Sequence, residues 1–252
     1  MMIKVLQKTF AILEYIAVSP HPVTPGELVE VLNLPQPTAA RILRDLAELG
    51  YLEQSGARKG YRPGPVFYLI AGGKLYDDEF MRFARTEIRE CARELGQSVL
   101  FAVRRRNSRL ILCHYNYNPR FRIDTRAMRF HDLYVTASGR MLLAFAPEGE
   151  LDTFIRENGL PAPEVWPGAA DGIDILKREL GRIRTDRCLE LQRSFCGNFH
   201  IYARPVFRGR AFLGAVAANW DVDAPENLSA QYRRGVTTLA QTLTNSGTAA
   251  VG

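Results

Sequence analysis

The side chains best suited to chemistry lie along one side of a helix predicted over residues 36–50. At about 100° per residue, Thr38, Arg41 and Arg44 share that side, and Gln36 stands at its start. Acidic residues follow only in the last turns, and apolar residues fill the opposite side: Ala39, Ile42, Leu43, Leu46 and Leu49. A helix that is neutral or basic in its N-terminal half has the polarity expected for insertion of that end into a DNA major groove.

The residues before this helix indicate how it is positioned. Thr24-Pro25-Gly26-Glu27 predicts a capping box, in which Thr24 accepts the N–H of Glu27 and Glu27 reaches back. The short helix that follows should end at Asn33-Leu34-Pro35, because a residue before proline avoids helical space. The second helix then begins at Gln36-Pro37 and ends at Gly50, which suits a left-handed C-terminal residue.

A further helix and a hairpin complete this unit. Leu6–Val18 has the apolar spacing of an amphipathic helix. After Gly50, a short strand, a polar turn and a return strand predict a hairpin, and its turn carries Arg58 and Lys59, which can reach backbone phosphate or the minor groove. These elements predict a winged helix-turn-helix in residues 1–72, although small three-helix units also serve as protein-interaction modules.

Composition describes a globular chain with a basic surplus. The 252 residues are 46% hydrophobic, with a net charge of +6. Residues 1–72 hold seven Lys/Arg and six Asp/Glu, whereas residues 73–130 hold thirteen and seven, so the surplus lies outside the helix-turn-helix. Net charge therefore supports nucleic-acid binding only weakly, and the motif must carry that prediction.

Neither the N-terminus nor any apolar run predicts export or membrane insertion, so we expect a cytoplasmic protein without a membrane partner. No uncharged apolar run approaches the ~20 residues needed to span a bilayer, and the first residues lack a signal-peptide core. Four cysteines without CxxC spacing predict reduced thiols, and neither a zinc ribbon nor a disulfide framework. We expect no metal and no cofactor. The cysteines are Cys91, Cys113, Cys188 and Cys196.

The second half of the chain predicts an α+β domain. Asp78–Leu95 should be a long helix within a linker region, residues 73–96, with alternating arginines and glutamates on its outer side. Its inner stripe is predicted as Phe80, Phe83, Ala84, Ile88, Cys91 and Leu95. From residue 97 the hydrophobic period changes to two, so residues 97–245 predict a mainly antiparallel sheet with packed helices, and residues 246–252 a flexible tail. The strands are predicted at Ser98–Arg104, Leu110–Tyr115, Phe121–Asp124, Cys188–Phe195, His200–Phe207 and Ala211–Trp220, and four of the helices at Arg140–Ala146, Glu148–Asn158, Ile173–Thr185 and Asn227–Leu243.

Several stretches match a known pattern in order along nearly the whole chain. In the first half these are residues 5–13, 34–43, 49–52 and 61–64. In the second half they are Thr136-Ala137-Ser138-Gly139-Arg140 with the apolar helix after it, and residues 203–207. In all of these the chain resembles the IclR-type family of bacterial transcription regulators. The resemblance implies a winged helix-turn-helix, a linker helix and a C-terminal GAF-like domain that binds a small organic or aromatic acid. It also implies a homodimer or a dimer of dimers on double-stranded operator DNA.

Two sets of site residues follow. The predicted DNA-binding residues are Thr24, Gln36, Pro37, Thr38, Arg41, Arg44, Arg58 and Lys59. For the effector, the resemblance implies that the backbone N–H groups of Ala137 and Ser138 hold a carboxylate at a helix start. The predicted effector-binding residues are Thr136, Ala137, Ser138, Cys196, Asn198, His200, Ala217 and Asn219. The chain departs from the family at Ile201, where a cysteine is usual, and at Ala217 and Asn219, where serines are usual.

The sequence therefore predicts a sequence-specific DNA-binding regulator, more readily a repressor, whose DNA binding is controlled by a small molecule. Two alternatives stay open. An enzyme could use Cys196 as a nucleophile and His200 as a base, but no nucleophile elbow, Walker loop or His-Glu-x-x-His helix is present. An interaction module with a degenerate helix-turn-helix would be favoured if Thr38, Arg41 and Arg44 were buried against another subunit.

Overall fold

The computed structural model describes residues 3–56, 59–72, 78–121, 129–193 and 198–246. The chain divides after Asp78 into two compact units. The first unit has one apolar core, and the second has two, one on each face of a sheet. None of the helices in the described ranges combines the length and the apolarity that crossing a bilayer requires.

The first unit is a helical cluster with a hairpin. Its helices are α1 (Lys4–Val18), α2 (Pro25–Leu32), α3 (Gln36–Glu48) and α4 (Pro65–Gly72), and its strands are β1 (Leu52–Gln54) and β2 (Tyr61–Pro63). The strands pair antiparallel, and an isolated bridge joins Val23 to Tyr61. Ile12, Leu28 and Leu43 are fully buried among the helices. The predicted winged helix-turn-helix is thus confirmed.

Local sequence explains where α2 and α3 begin and end. Thr24 Oγ1 accepts the N–H of Glu27 at 3.3 Å, as a capping box requires. The Glu27 carboxylate instead accepts the hydroxyl proton of Tyr15 at 2.6 Å, so this side chain joins α2 to α1. Asn33 ends α2 with φ 50°, and Gly50 follows α3 with φ 77°, in the left-handed region that favours glycine.

The second unit is built on a six-stranded antiparallel sheet in the order β5-β4-β3-β8-β7-β6. The strands are β3 (Ser98–Arg105), β4 (Ser108–Asn116), β5 (Arg129–Phe130), β6 (Leu189–Arg193), β7 (Phe199–Arg208) and β8 (Ala211–Asp221). The helices are α5 (Asp78–Leu95), α6 (Ala137–Ala144), α7 (Glu148–Asn158), α8 (Pro167–Ala170), α9 (Ile173–Asp186) and α10 (Glu226–Ser246). The α+β class is therefore confirmed.

Helices cover both faces of this sheet. Because side chains alternate along a strand, Phe101 of β3 packs with α5 and α10, whereas Leu100 packs with α6 and α9. We call these two sides the α10 face and the α6 face. Trp220 is fully buried on the α10 face, and Ala217 is almost fully buried on the α6 face.

Helix α5 belongs to the packed structure of the second unit, although its bounds are those predicted for the linker helix. Ala84 and Ile88 are fully buried, as predicted. Met81 and Ala92, which the predicted stripe omits, are also buried, whereas Phe83 is 36% exposed. The buried stripe is rotated relative to the prediction because the sheet, not the apolar periodicity alone, determines which side of the helix faces inward.

Two further predictions differ from the structure. Helix α6 begins at Ala137, earlier than Arg140, because Thr136 caps it by accepting the N–H of Gly139 at 3.0 Å. The strand predicted at Phe121–Asp124 is not found at Phe121, and residues 122–124 lie outside the described residues. The short strand beside β4 is β5, with Arg109 opposite Phe130.

Candidate functional site

Helix α3 presents the predicted polar side to solvent. Its apolar side is closed, since Ala39 and Leu43 are fully buried. On the other side, Arg41 has 83% of its side chain exposed, and its Nε lies 3.9 Å from Asp45, a long contact. Arg44 is also exposed. Both guanidinium groups can therefore turn towards an external partner.

The N-terminus of α3 is exposed and lacks a side-chain cap. Pro35 occupies the cap position, and no side chain caps the helix there. Gln36 and Pro37 are exposed, and Thr38 is half-buried. Uncapped N–H groups at a helix start, reinforced by the helix dipole, attract phosphate. The start of α3 thus combines exposed side chains with free backbone donors.

The turn of the wing, between β1 and β2, carries Lys59. Lys59 is exposed, and its N–H donates to the Gly56 carbonyl at 3.0 Å within the turn. Arg58 lies outside the described residues. Gly60 keeps the turn compact, because a Cβ there would lie 2.8 Å from the Pro22 carbonyl oxygen. Thr24 is half-buried, and its hydroxyl oxygen is already used to cap α2.

In the second unit, the predicted effector residues at the start of α6 are buried. Ala137 is fully buried, and Ser138 is 2% exposed. Thr136 takes up the N–H of Gly139, which leaves the first-turn donors of Ala137 and Ser138 without an intrahelical acceptor. Gly139 is required here, since a Cβ would lie 2.6 Å from the Leu133 carbonyl oxygen.

The α6 face of the sheet also carries a row of polar residues. Asn219 is 4% exposed and stands opposite Ser98 in the sheet. Ser98 is fully buried and lies 3.0 Å from His114 Nε2. Burial lowers the pKa of His114, so its imidazole is neutral near pH 7. Ser98 and His114 were not predicted from the sequence. The available signal was a polar residue in a strand whose alternate residues, on the same face, belong to the core.

His200 is separated from the other predicted effector residues. It stands opposite Trp220 and stacks on that ring at 5.7 Å on the α10 face, whereas Asn219 faces α6. Its Nδ1 lies 2.8 Å from Glu190 Oε1, at an angle unsuited to a hydrogen bond, and Arg233 binds the same carboxylate. The prediction that His200 shares a site with Asn219 is wrong. His200 pairs with Trp220, and consecutive residues of β8, such as Asn219 and Trp220, point to opposite faces of the sheet.

Two other predicted effector residues are Asn198 and Cys196. Asn198 is exposed, and its carbonyl accepts the N–H of Val222 at 3.0 Å. Cys196 lies outside the described residues.

Burial raises the pKa of Cys91 to about 12 and that of Cys113 to about 11. Both thiols therefore stay protonated, which agrees with a structural role.

Comparison with known proteins identifies both units. The family model described as the IclR helix-turn-helix domain matches residues 5–56. The model described as the C-terminal domain of the bacterial transcriptional regulator IclR matches residues 75–186. Together the two matches cover most of the chain, and they follow the order of the family's two domains.

Curated relatives and solved structures agree with this result. The HTH-type transcriptional regulator KipR of Bacillus subtilis is 27% identical over 62% of this chain, a match that spans 62% of that protein. The glycerol operon regulatory protein of Streptomyces griseus is 25% identical over 88% of this chain and 86% of its own. An IclR homologue from Microbacterium hydrocarbonoxydans, solved with 4-hydroxybenzoate, superposes with a TM-score of 0.76 at 19% identity, covering 98% of this chain and 100% of the other. At that identity the superposition shows the shared fold alone.

Proposed function

The chain belongs to the IclR family of bacterial transcription regulators, and on that premise we propose that it represses its target until an aromatic or other organic acid binds the second unit. It is a transcription regulator with a helix-turn-helix DNA-binding domain and an effector-binding C-terminal domain, as its matched relatives are regulators and not enzymes. The enzyme and the interaction-module alternatives are set aside for the same reason. We retain residues 1–72 as the DNA-binding domain, residues 73–96 as the linker helix region and residues 97–245 as the effector-binding domain. Of the predicted tail, 246–252, all but the first residue lie outside the described residues.

The observation that carries the DNA part is the open start of α3. We propose that Gln36, Thr38 and Arg41 contact bases or phosphates there, since Arg41 is exposed and the helix start is uncapped. Arg44, Arg58 and Lys59 would bind phosphates, which position the protein on DNA without reading its sequence. Thr24 and Pro37 complete the predicted set, by capping α2 and starting α3.

The effector part rests on the start of α6 and on the polar row of the α6 face. A carboxylate could be held by the N–H groups of Ala137 and Ser138, and Thr136 keeps that helix start in shape. Ser98, Asn219 and neutral His114 offer uncharged donors and acceptors, which suit a hydroxyl better than a second charge. We therefore propose a hydroxylated aromatic acid, the class to which the ligand of the Microbacterium homologue belongs.

A homodimer, or a dimer of dimers, is proposed from the outer side of α1. Ile3, Leu6 and Phe10 recur at helical spacing and are 62%, 47% and 59% exposed. Clustered apolar side chains on a small surface unit commonly mark a protein interface. Two paired recognition helices would also read two half-sites, which multiplies affinity relative to one helix.

Fluorescence anisotropy with the chain's own upstream DNA tests the function as a whole. We expect tight, salt-dependent binding that exceeds binding to a random duplex, and release when the cognate acid is added. Thermal-shift screening against aromatic, sugar and short-chain acids, with 4-hydroxybenzoate among them, would supply that acid. Equal affinity for upstream and random DNA at matched salt would contradict the proposal.

A further inference from the structure

A second polar cavity lies away from the start of α6, at one edge of the sheet. Strand β6 pairs with β7 only as far as Ala203, so the rest of β7 forms the sheet edge on that side. Beyond this point a cavity of about 400 Å³, open to solvent, lies between β7 and the last turns of α10. Its lining residues are Arg187, Arg204, Pro205, Phe207, Ala240, Gln241, Thr244 and Asn245.

Arg204 brings a cation to this cavity that the described protein does not neutralise. It stands opposite Val216 in the sheet, on the α10 face, and is half-buried. Its Nε is buried and has no hydrogen-bond partner, and its guanidinium enters no ion pair among the described residues. A buried donor without an acceptor is costly, so an acceptor entering the cavity would relieve that cost.

Arg187 supplies a second cation. It follows α9 in the left-handed region, with φ 52°, and it is exposed. Its guanidinium carbon lies 5.1 Å from the centre of the Phe207 ring, a stacking contact that fixes the side chain over the cavity wall. As with Arg204, no carboxylate among the described residues pairs with it. Stacking leaves the edge donors of a guanidinium free to bind an oxyanion.

Neutral donors complete the wall. Thr244 Oγ1 accepts the N–H of Phe207 at 3.2 Å, which leaves its hydroxyl proton able to donate. Gln241 is exposed one turn earlier on α10 and carries an amide. None of the described residues that line the cavity is acidic. The wall therefore offers donors and positive charge without a competing carboxylate.

A purely structural role for the two arginines is a weaker explanation. Helices α9 and α10 both end near this edge, and their C-terminal carbonyls attract cations. However, among the described residues neither guanidinium donates a hydrogen bond to such a carbonyl, and the contact of Arg187 with the end of α9 is made by its backbone N–H to Ile183. Helix-end neutralisation alone leaves the buried Nε of Arg204 unexplained.

We propose that this cavity is a second small-molecule site, specific for an oxyanion, either a carboxylate or a phosphate, held by Arg204 and Arg187. It goes beyond the effector site proposed at α6. Arg204 directly follows Ala203, which is fully buried on the α6 face. Strand β7 therefore carries a residue of the cavity wall directly next to a residue of the α6-face core.

The test is isothermal titration calorimetry of the full chain with citrate and, separately, with inorganic phosphate, each at matched ionic strength. Glycerol serves as the uncharged comparison. We expect saturable binding of at least one anion and none of glycerol. Arg204→Gln and Arg187→Gln should each weaken that binding by about tenfold or more, as loss of a charge-assisted hydrogen bond predicts.

Matched variants separate this site from others. Arg182→Gln removes an exposed arginine of α9 that is outside the cavity, where its side chain is 70% exposed, and it should bind the anion as the wild type does. A failed effector proposal concerns the start of α6 and would not imitate a failure here, because the cavity variants change only Arg204 and Arg187. If neither anion binds saturably, or if both cavity variants bind as tightly as Arg182→Gln, the second site does not exist.

Discussion

Arg41 is the side chain on which the DNA proposal depends most directly. We expect Arg41→Ala to weaken binding to the specific site by about 1–3 kcal/mol and to reduce the preference over random DNA, because a base contact carries specificity. Arg41 is highly exposed, so the fold should be unaffected. Anisotropy titrations at constant salt measure the effect, with Arg182→Ala as the control. Unchanged affinity for the specific site would mean that α3 is not the reading helix.

His114 makes a prediction about pH. Burial lowers its pKa from the ordinary value of 6.5. As the pH falls, the unfolded chain therefore binds a proton at His114 before the folded chain does. This residue therefore lowers the free energy of unfolding as pH falls below 6.5, and it has no such effect above that value. We expect His114→Gln to lose less stability between pH 7.5 and 5.5 than the wild type in urea unfolding. An equal loss in both proteins would show that His114 is not the group responsible.

For individual residues, exposure on a helix could be predicted from the sequence, whereas position on a face of the sheet could not. The exposure of Arg41 and Arg44 followed from helical periodicity, because α3 has one strongly apolar side. The faces occupied by His200 and Asn219 did not, since both strands have apolar residues on both sides. Only the register, which sets His200 opposite Trp220 and Asn219 opposite Ser98, separates them.

At the scale of elements, the start of α6 depends on a glycine. A Cβ at Gly139 would lie 2.6 Å from the Leu133 carbonyl oxygen, whereas a Cβ at Gly149 in α7 would meet nothing within 4 Å. We expect Gly139→Ala to lower the melting temperature, and Gly149→Ala to leave it unchanged or raise it, since alanine favours helices by about 0.5–1 kcal/mol. Thermal unfolding by circular dichroism compares the two. A stable Gly139→Ala variant that still binds its acid would contradict the packing described for this turn.

Predicted element bounds were closest where local signals were strong. Helix α5 begins and ends where periodicity and Gly96 indicated, and the cap at Thr24 was recognised from its spacing. Helix α6 was predicted to begin too late, since its small first-turn residues look like a turn in sequence. The hydrogen bond from Gly139 to Thr136 is what makes them helical.

At the scale of the whole molecule, the proposed dimer depends on the outer side of α1. We expect Phe10→Glu to shift sedimentation towards the monomer and to weaken operator binding, because a charge would be buried in the interface. Val31→Glu is the matched control, since Val31 is 52% exposed on α2. Analytical ultracentrifugation reads the mass directly. If Phe10→Glu sediments as the wild type does, the α1 surface has another role.

The sequence by itself determined the class of protein: a capped helix pair with an exposed basic side, a hairpin with a basic turn, and an α+β second half, in the order of the IclR family. These features are local, so spacing and residue type suffice to predict them. The tertiary structure decided what lies on each face of the sheet. It joined Ser98 and His114 to Asn219, moved His200 to the other face and placed α5 against the sheet. It also left the buried Nε of Arg204 without an acceptor among the described residues, beside a cavity. Strand register and helix rotation arise from contacts between residues far apart in the chain, and local periodicity does not specify those contacts.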